Sequence, residues 1–291
     1  MLDSHVKRGG EIEVKNDIRI GLALGGGGAR GIAHLGVCQR LQELGIRVDC
    51  IAGTSIGAIV GAIVAAGNIG RALEWCSEPD WVKLPKFIFE TSLTAKALTP
   101  GRKVERLIGE MIAVRDFSDL HIPFAAVATN LHTGEEVVMR DGEVLSAVRA
   151  SMSIPGVFPP VERDGRVLID GQLVDPVPVS VCRAMGADAV IAVDINPPGA
   201  VSAKKPYSRF NMVDVLTSTL DILNGRLTRR VLEEDPPDVL IRPAVGGVLA
   251  LDFRHAERLV EIGRQSVDGA VTSLSPVLHA DIRRDENMMR H

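Results

Sequence analysis

Val48-Asp49-Cys50-Ile51-Ala52-Gly53-Thr54-Ser55-Ile56-Gly57-Ala58-Ile59-Val60-Gly61 changes its character part-way along, and that change decides the fold. Residues 48–52 form a short apolar run of strand length, whereas the apolar run over 56–66 is long enough to read as a buried helix. Only Gly53, Thr54 and Ser55 separate the two, so the connection is a tight turn. The uncharged stretch 51–70 is about as long as a membrane-spanning helix. Its embedded Gly53, Thr54, Ser55, Gly57 and Gly61 argue instead for strand, turn and helix. Gly57 and Gly61, four apart, give that helix a smooth side for close packing on a sheet.

The same grammar repeats upstream. Residues 18–24 read as a buried strand, Gly25–Gly28 as a turn, and 29–44 as a helix that Gly45 ends. Downstream, helices are expected over 104–112, 144–151, 179–185, 213–232 and 256–271. Strands are expected over 124–128, 136–139, 167–170, 189–194 and 239–241. Residues 197–206 read as a loop, and 75–100 as a cap or lid without clear period. Strands alternating with helices specify an α/β fold, a mostly parallel sheet with helices on both faces. Aromatic residues are only 3% of a chain that is 46% hydrophobic, so the core must be built from Ala, Val, Ile and Leu. The expected organisation is a flexible segment over 1–16, one catalytic domain over 17–274 and a polar tail over 275–291.

Ligands of such sheets sit at the carboxyl ends of the strands. Three loops are expected there. Gly53-Thr54-Ser55-Ile56-Gly57 is a G-x-S-x-G between strand and helix, the context in which that motif presents a nucleophilic serine. Gly25-Gly26-Gly27-Gly28-Ala29-Arg30-Gly31 exposes bare peptide N–H groups at a helix start, suited to a tetrahedral oxyanion. Gly26, Gly28 and Gly31 also fit the dinucleotide pattern G-x-G-x-x-G, but the second strand ends without the acidic residue that pattern needs, Asp49 lying before it. A plain turn is the third reading, and no Lys-Ser/Thr pair follows to make a P-loop. Arg30, in the first helical turn, opposes the helix dipole. It is either exposed and screened or answers an anion, whether a substrate phosphate or a nearby carboxylate. Leu168-Ile169-Asp170-Gly171-Gln172 closes a strand with a carboxylate that can serve as general base if it reaches Ser55, or can cap a turn or pair with an arginine.

These loops together resemble the motif set of the patatin-like phospholipases, most closely the bacterial branch related to neuropathy target esterase. Gly26-Gly27-Gly28-Ala29-Arg30-Gly31, Gly53-Thr54-Ser55-Ile56-Gly57 and Asp170-Gly171 carry the resemblance. It extends through Ser151-Met152-Ser153-Ile154-Pro155-Gly156 and Leu173-Val174-Asp175-Pro176, over roughly 18–196. The resemblance implies a Ser55–Asp170 dyad that works through an acyl-enzyme, with an oxyanion hole from Gly26, Gly27 and Gly28. Gly25, Ala29, Arg30, Gly31, Gly53, Gly57 and Gly171 are then positioning residues. Fatty-acyl esters, often phospholipids or lysophospholipids, are the implied substrates, with no metal or organic cofactor. One departure is Gln172, where the family usually has Gly or Ala. Its amide either crowds the pocket or donates a hydrogen bond that lowers the basicity of Asp170.

Other readings remain in view. A Ser–His–Asp hydrolase needs a histidine beyond the aspartate, and His255, His279 and His291 are the candidates. His34, one helical turn past the glycines, suits packing or orientation of that loop. A non-catalytic nucleotide- or acyl-binding module is the alternative of a different class. A net charge of −4 argues against a nucleic-acid partner. Four scattered cysteines, no metal-ligand spacing and no apolar leader suggest a cytoplasmic protein. Trp81, Val82, Leu84, Phe87, Ile88 and Phe89 beside Lys83 and Lys86 suit peripheral contact with a membrane surface, a lid over the cleft, or an oligomer contact.

Overall fold

The computed structural model describes residues 18–77, 102–196, 212–250 and 252–288. The N-terminal segment, the apolar and basic cluster at 81–89 and the loop at 197–206 lie outside the described residues. Strands β1 (Ile20–Leu24), β2 (Cys50–Thr54), β3 (Phe124–Asn130), β4 (Glu136–Met139), β5 (Val161–Arg163), β6 (Arg166–Asp170), β7 (Ala189–Val193) and β8 (Val239–Ile241) form one sheet. The helices are α1 (Ala33–Glu43), α2 (Ile56–Ala65), α3 (Ile69–Ser77), α4 (Arg102–Ile112), α5 (Val144–Ser151), α6 (Val179–Ala184), α7 (Met212–Glu234) and α8 (Ala256–Met288).

The sheet order is β5-β6-β3-β2-β1-β7-β8, with β4 also paired to β3. The run β3-β2-β1-β7-β8 is parallel throughout. Alternation along the strands divides the core between the two faces. Leu22, Leu24 and Ile51 pack in the larger cluster with Leu35, Val37 and Ile63. Ala23, Ala52, Val190 and Ala192 pack in a smaller one with Val179, Val181 and Cys182 of α6. The small residues on that second face let α6 lie close to the sheet.

The sheet is mostly parallel as expected, but the strand that carries Asp170 is antiparallel, which matters for the site. β4 and β6 both run against β3, and β5 forms a hairpin with β6. The β5–β6 turn is Asp164-Gly165, both at positive φ (51° and 71°), the conformation that tight hairpins require. β2 pairs with the first part of β3, ending at Thr54↔Val127, and β6 pairs with the last part, with Asp170 opposite Ala128. Val127 and Ala128 are neighbours, so β3 acts as a ruler that sets the end of β2 beside the end of β6. Asp170 therefore reaches the β2 turn by end-on placement of an antiparallel strand, not by sharing the carboxyl edge of a parallel one.

Two further expectations change. The glycine turn enters its helix through a 3-10 segment, Gly28–Ile32, before α1 begins. α8 continues to Met288, well past residue 271 and through most of the expected polar tail. Leu274, Leu278 and Ile282 recur at helical spacing there, a pattern that polar neighbours obscure.

Candidate active site

The elbow after β2 is built from close contacts. A Cβ on Gly57 would lie 2.1 Å from the Leu24 carbonyl oxygen, so only glycine lets α2 start this close to β1. Ser55 occupies the turn at φ 56° and ψ −121°. For a residue with a Cβ this is a strained conformation, of the kind retained where a side chain must be aimed. The Ser55 N–H donates to Ser151 Oγ at 2.9 Å, and Ser151 Oγ donates to the Val127 carbonyl at 2.5 Å. Ser151, at the end of α5, thus ties the elbow to β3.

Ser55 Oγ lies 2.6 Å from Asp170 Oδ2 and donates to it. Both residues are buried, at 2% and 3% exposure. The other oxygen, Oδ1, accepts the Gln172 N–H at 2.9 Å. The Asp170 backbone is held as well: its carbonyl accepts from Thr129 Oγ1 at 2.8 Å and its N–H donates to the Ser153 carbonyl at 3.1 Å. Arg149 stacks over the Phe158 ring and donates to Ser153 Oγ at 2.8 Å, which stiffens that support. Burial raises the Asp170 pKa from 3.8 to about 6, against the lowering effects of the Ser55 and Gln172 hydrogen bonds. A carboxyl with that value is a better proton acceptor from a hydroxyl than a solvated aspartate is.

The four glycines after β1 divide into two pairs. The Gly25 N–H donates to the Val193 carbonyl and the Gly26 N–H to the Pro176 carbonyl, both at 3.0 Å. Asn196 Nδ2 donates to the Gly26 carbonyl at 2.7 Å and His34 Nε2 to the Gly25 carbonyl at 2.7 Å. These bonds anchor the loop. They also correct one expectation: the Gly26 N–H is already spent and cannot serve as an oxyanion donor. The N–H groups of Gly27 and Gly28 have no acceptor among the described residues. Gly28, at φ 62°, borders the same hollow as Ser55, and a Cβ there would lie 2.1 Å from the Ala250 carbonyl oxygen. The Ala29 N–H is bound to that same Ala250 carbonyl at 2.7 Å.

The remaining candidates fall into place around these. Arg30 is buried, donates through Nε to the Gly27 carbonyl at 3.0 Å and pairs through Nη2 with Asp221 of α7 at 2.8 Å. Its anion is therefore a carboxylate of the same chain. Gly31 packs against Ile56, and Gly53 against the Gly57 carbonyl, so the two turns interlock. Gly171 lies against the Val127 carbonyl, which keeps the Asp170 turn close to β3. His34 has its pKa lowered to about 4 by burial, so it is a neutral brace for the loop. His255 lies 3.6 Å from Asp252 and forms no bond with Ser55 or Asp170. No histidine among the described residues bonds to Ser55 or Asp170. Asp49 accepts the Ile20 N–H at the far end of β1, so it cannot complete a dinucleotide site at the glycines. Ser151, Ser153, Arg149 and Asn196 are site residues that residue-by-residue reading missed, although the first two stand in the stretch that carries the resemblance. Among the described residues, no group of three or more His, Cys, Asp or Glu side chains is arranged to hold a metal ion.

The patatin-like phospholipase family model matches residues 22–183. An NTE family protein of Mycobacterium tuberculosis is 39% identical over 178 residues, 61% of this chain and 49% of that one. Patatin-like phospholipase domain-containing protein 7 of Rattus norvegicus is 32% identical over 273 residues, 84% of this chain and 20% of that one. Lysophospholipase NTE1 of Mycosarcoma maydis is 38% identical over 181 residues, 60% of this chain and 10% of that one. The chain thus spans about half the length of the mycobacterial relative and a fifth or less of the other two. Among solved structures, VipD from Legionella pneumophila aligns with a TM-score of 0.48 at 14% identity, covering 88% of this chain and 67% of that one. The match over more than half of the chain, carrying Gly25 to Gly28, Ser55 and Asp170, shows that this protein belongs to the patatin-like phospholipase family.

Proposed function

We propose that this chain is a lipid acyl hydrolase that cleaves fatty-acyl esters of phospholipids or lysophospholipids through a Ser55–Asp170 dyad. The observation that carries the reading is the 2.6 Å hydrogen bond from Ser55 Oγ to a buried carboxylate, in a chain whose family is that of patatin-like phospholipases. Ser55 Oγ attacks the ester carbonyl carbon while its proton passes to Asp170 Oδ2. The N–H groups of Gly27 and Gly28 hold the oxyanion that forms. The tetrahedral species collapses by breaking the bond to the alcohol oxygen, which takes the proton from Asp170. Water then attacks the acyl-serine, gives its proton to Asp170 and releases the fatty acid as Ser55 recovers its proton.

The hollow beside Ser55 suits the first carbons of an acyl chain by its apolar lining. It has a volume of about 90 Å³ and is lined by Ile56, Ile59, Leu107, Ile108, Met111 and Phe253 among others. α7 exposes Val215, Ile222 and Leu223, each more than half exposed, and its Leu220, Asp221 and Asn224 border the site. We read that face as a peripheral contact with the lipid surface that supplies substrate. No helix among the described residues is long and apolar enough to cross a membrane. Buried free thiols at Cys38, Cys50, Cys76 and Cys182 support a cytoplasmic setting. A lipid-class screen of the purified protein, with Ser55→Ala as control, tests the function. The expected result is Ser55-dependent release of fatty acid from a phospholipid or lysophospholipid. Release that persists in Ser55→Ala, or no release from any acyl ester, rejects the proposal.

A further inference from the structure

The two open amides of the glycine turn belong to consecutive peptide units. The Gly27 N–H shares its peptide with the Gly26 carbonyl, and the Gly28 N–H shares its peptide with the Gly27 carbonyl. In a planar trans peptide the carbonyl and the N–H point in opposite directions, so a bond that fixes one end aims the other.

Both carbonyls are fixed by buried side chains. Asn196, 5% exposed, donates through Nδ2 to the Gly26 carbonyl at 2.7 Å. Its own N–H donates to Asp194 Oδ1 at 2.9 Å, and Asp194 Oδ2 accepts from Arg242 Nε at 3.1 Å. Arg30, 2% exposed, donates through Nε to the Gly27 carbonyl at 3.0 Å, while its Nη2 is held by Asp221 at 2.8 Å. On the site side, Gly27 and Gly28 both border the hollow against Asp170, and Gly28 also borders the one beside Ser55.

Tethering the turn does not by itself require these two side chains. The Gly25 and Gly26 N–H groups are already bound to the Val193 and Pro176 carbonyls, and His34 holds the Gly25 carbonyl. A guanidinium taken out of water also costs more than a neutral donor would, a cost that the pair with Asp221 offsets. What the cation adds is charge. Bonded to the Gly27 carbonyl, it polarises that peptide and makes the Gly28 N–H a stronger donor to an anion.

Resting on the hydrolase reading above, we propose that Asn196 and the Arg30–Asp221 pair are positioning residues for the reaction: they hold the Gly26–Gly27 and Gly27–Gly28 peptides from behind, so that both N–H groups converge on the oxyanion.

The test uses Arg30→Met, Asn196→Leu and Asp221→Asn, with three measurements on each. These are kcat/KM for one acyl ester, the Ki of the trifluoromethyl ketone with the same acyl chain, and the Kd of the non-reacting ether analogue. Ser55 Oγ adds to the ketone carbon as its proton passes to Asp170, which leaves a tetrahedral oxyanion at the two amides; the ether forms none. A donor moved out of place costs up to about 10²-fold, so Arg30→Met and Asn196→Leu should each lower kcat/KM by about 30-fold or more. Asp221→Asn leaves the Nε bond in place and should lower it by about 5-fold. In every variant the Ki of the ketone should rise by the factor that kcat/KM falls, with the Kd of the ether changed by less than about 2-fold. Loss of packing alone would weaken the ether as well. Unchanged kcat/KM in the folded variants, a fall in kcat/KM without a matching rise in Ki, or an ether affinity lost in proportion each overturn the inference. If Arg30→Met does not fold, Asn196→Leu and Asp221→Asn carry the same comparison. A wild-type protein that cleaves no acyl ester and whose Ser55 resists a fluorophosphonate fails the hydrolase reading itself, and the inference falls with it. A wild type that cleaves and labels at Ser55, with variants as active as itself, rejects the inference alone.

Discussion

The turns after β1 and β2 stand side by side at the same edge of the sheet, yet they carry opposite kinds of chemistry. After β1, Gly27 and Gly28 present peptide N–H groups and no side chain, at φ 156° and 62°. After β2, Ser55 takes a positive φ of 56° with a side chain attached. The first turn is held by hydrogen bonds from outside it: Val193, Pro176, His34 and Asn196 fix Gly25 and Gly26 and leave the next two amides open. The second is held by Ser151 at its N–H and by Asp170 at its hydroxyl. On the proposed function, adjacent parallel strands supply the two halves of an acyl-transfer site, a developing negative charge being met by backbone and a nucleophile being offered by a side chain. In one turn strain is avoided by glycine; in the other it is the means of aiming an oxygen.

Removing the side-chain half should have the largest effect. Ser55→Ala and Asp170→Asn are each expected to lower kcat by about 10⁴-fold or more, whereas replacing His34, His132 or His255 singly should leave the reaction chemistry in place. Measured turnover of a short acyl ester checks both statements, and a histidine variant as dead as Ser55→Ala would remove the dyad. Breaking the backbone half comes next. Gly28→Ala pushes a Cβ against the Ala250 carbonyl and disturbs the donor pair, so kcat should fall by about 10²-fold or more. A folded, fully active Gly28→Ala protein contradicts the oxyanion assignment.

How far these halves could be read beforehand differs as well. Strand, turn and helix around Ser55 were legible because periodicity changes within the span of a few residues. Gly25–Gly28 was legible as a turn, but which amides remain open depends on Pro176 and Val193, distant carbonyls that no local pattern reveals. Asp170 was legible as a strand-closing carboxylate, but its route to Ser55 was not. The expectation of a parallel strand missed the short β5, although Asp164-Gly165 is a hairpin signal in the sequence. Arg30 shows the same limit: its helix position left open an exposed, screened cation or one answering an anion, and only the packing of α7 supplied the partner, Asp221.

Smaller effects concern pH and stability. Asp170 must be ionised to accept the Ser55 proton, so activity should rise with pH through about 6 and lose about 10-fold for each unit below it. A kcat/KM profile flat from pH 4 to 8 contradicts this. The folded pKa is raised above the unfolded value, so the protonated form is the one favoured by folding. Its contribution is present below pH 3.8 and is lost as pH rises through about 6. Asp170→Asn should therefore gain stability over wild type as pH increases across that window, by on the order of 1–3 kcal/mol at neutral pH. Denaturant melts at pH 4 and 8 read the difference, and a gain confined to pH 4 has the wrong sign. The smallest change is expected for Ser55→Gly, inactive but more stable by about 1 kcal/mol because the positive φ no longer strains a Cβ.

Covalent capture of the nucleophile tests the central claim most directly. Folded protein treated with a fluorophosphonate and read by peptide mass spectrometry should carry a single adduct, on Ser55, with labelling lost in Ser55→Ala and strongly slowed in Asp170→Asn. An unmodified Ser55 in folded protein, or an adduct on another residue, contradicts the account.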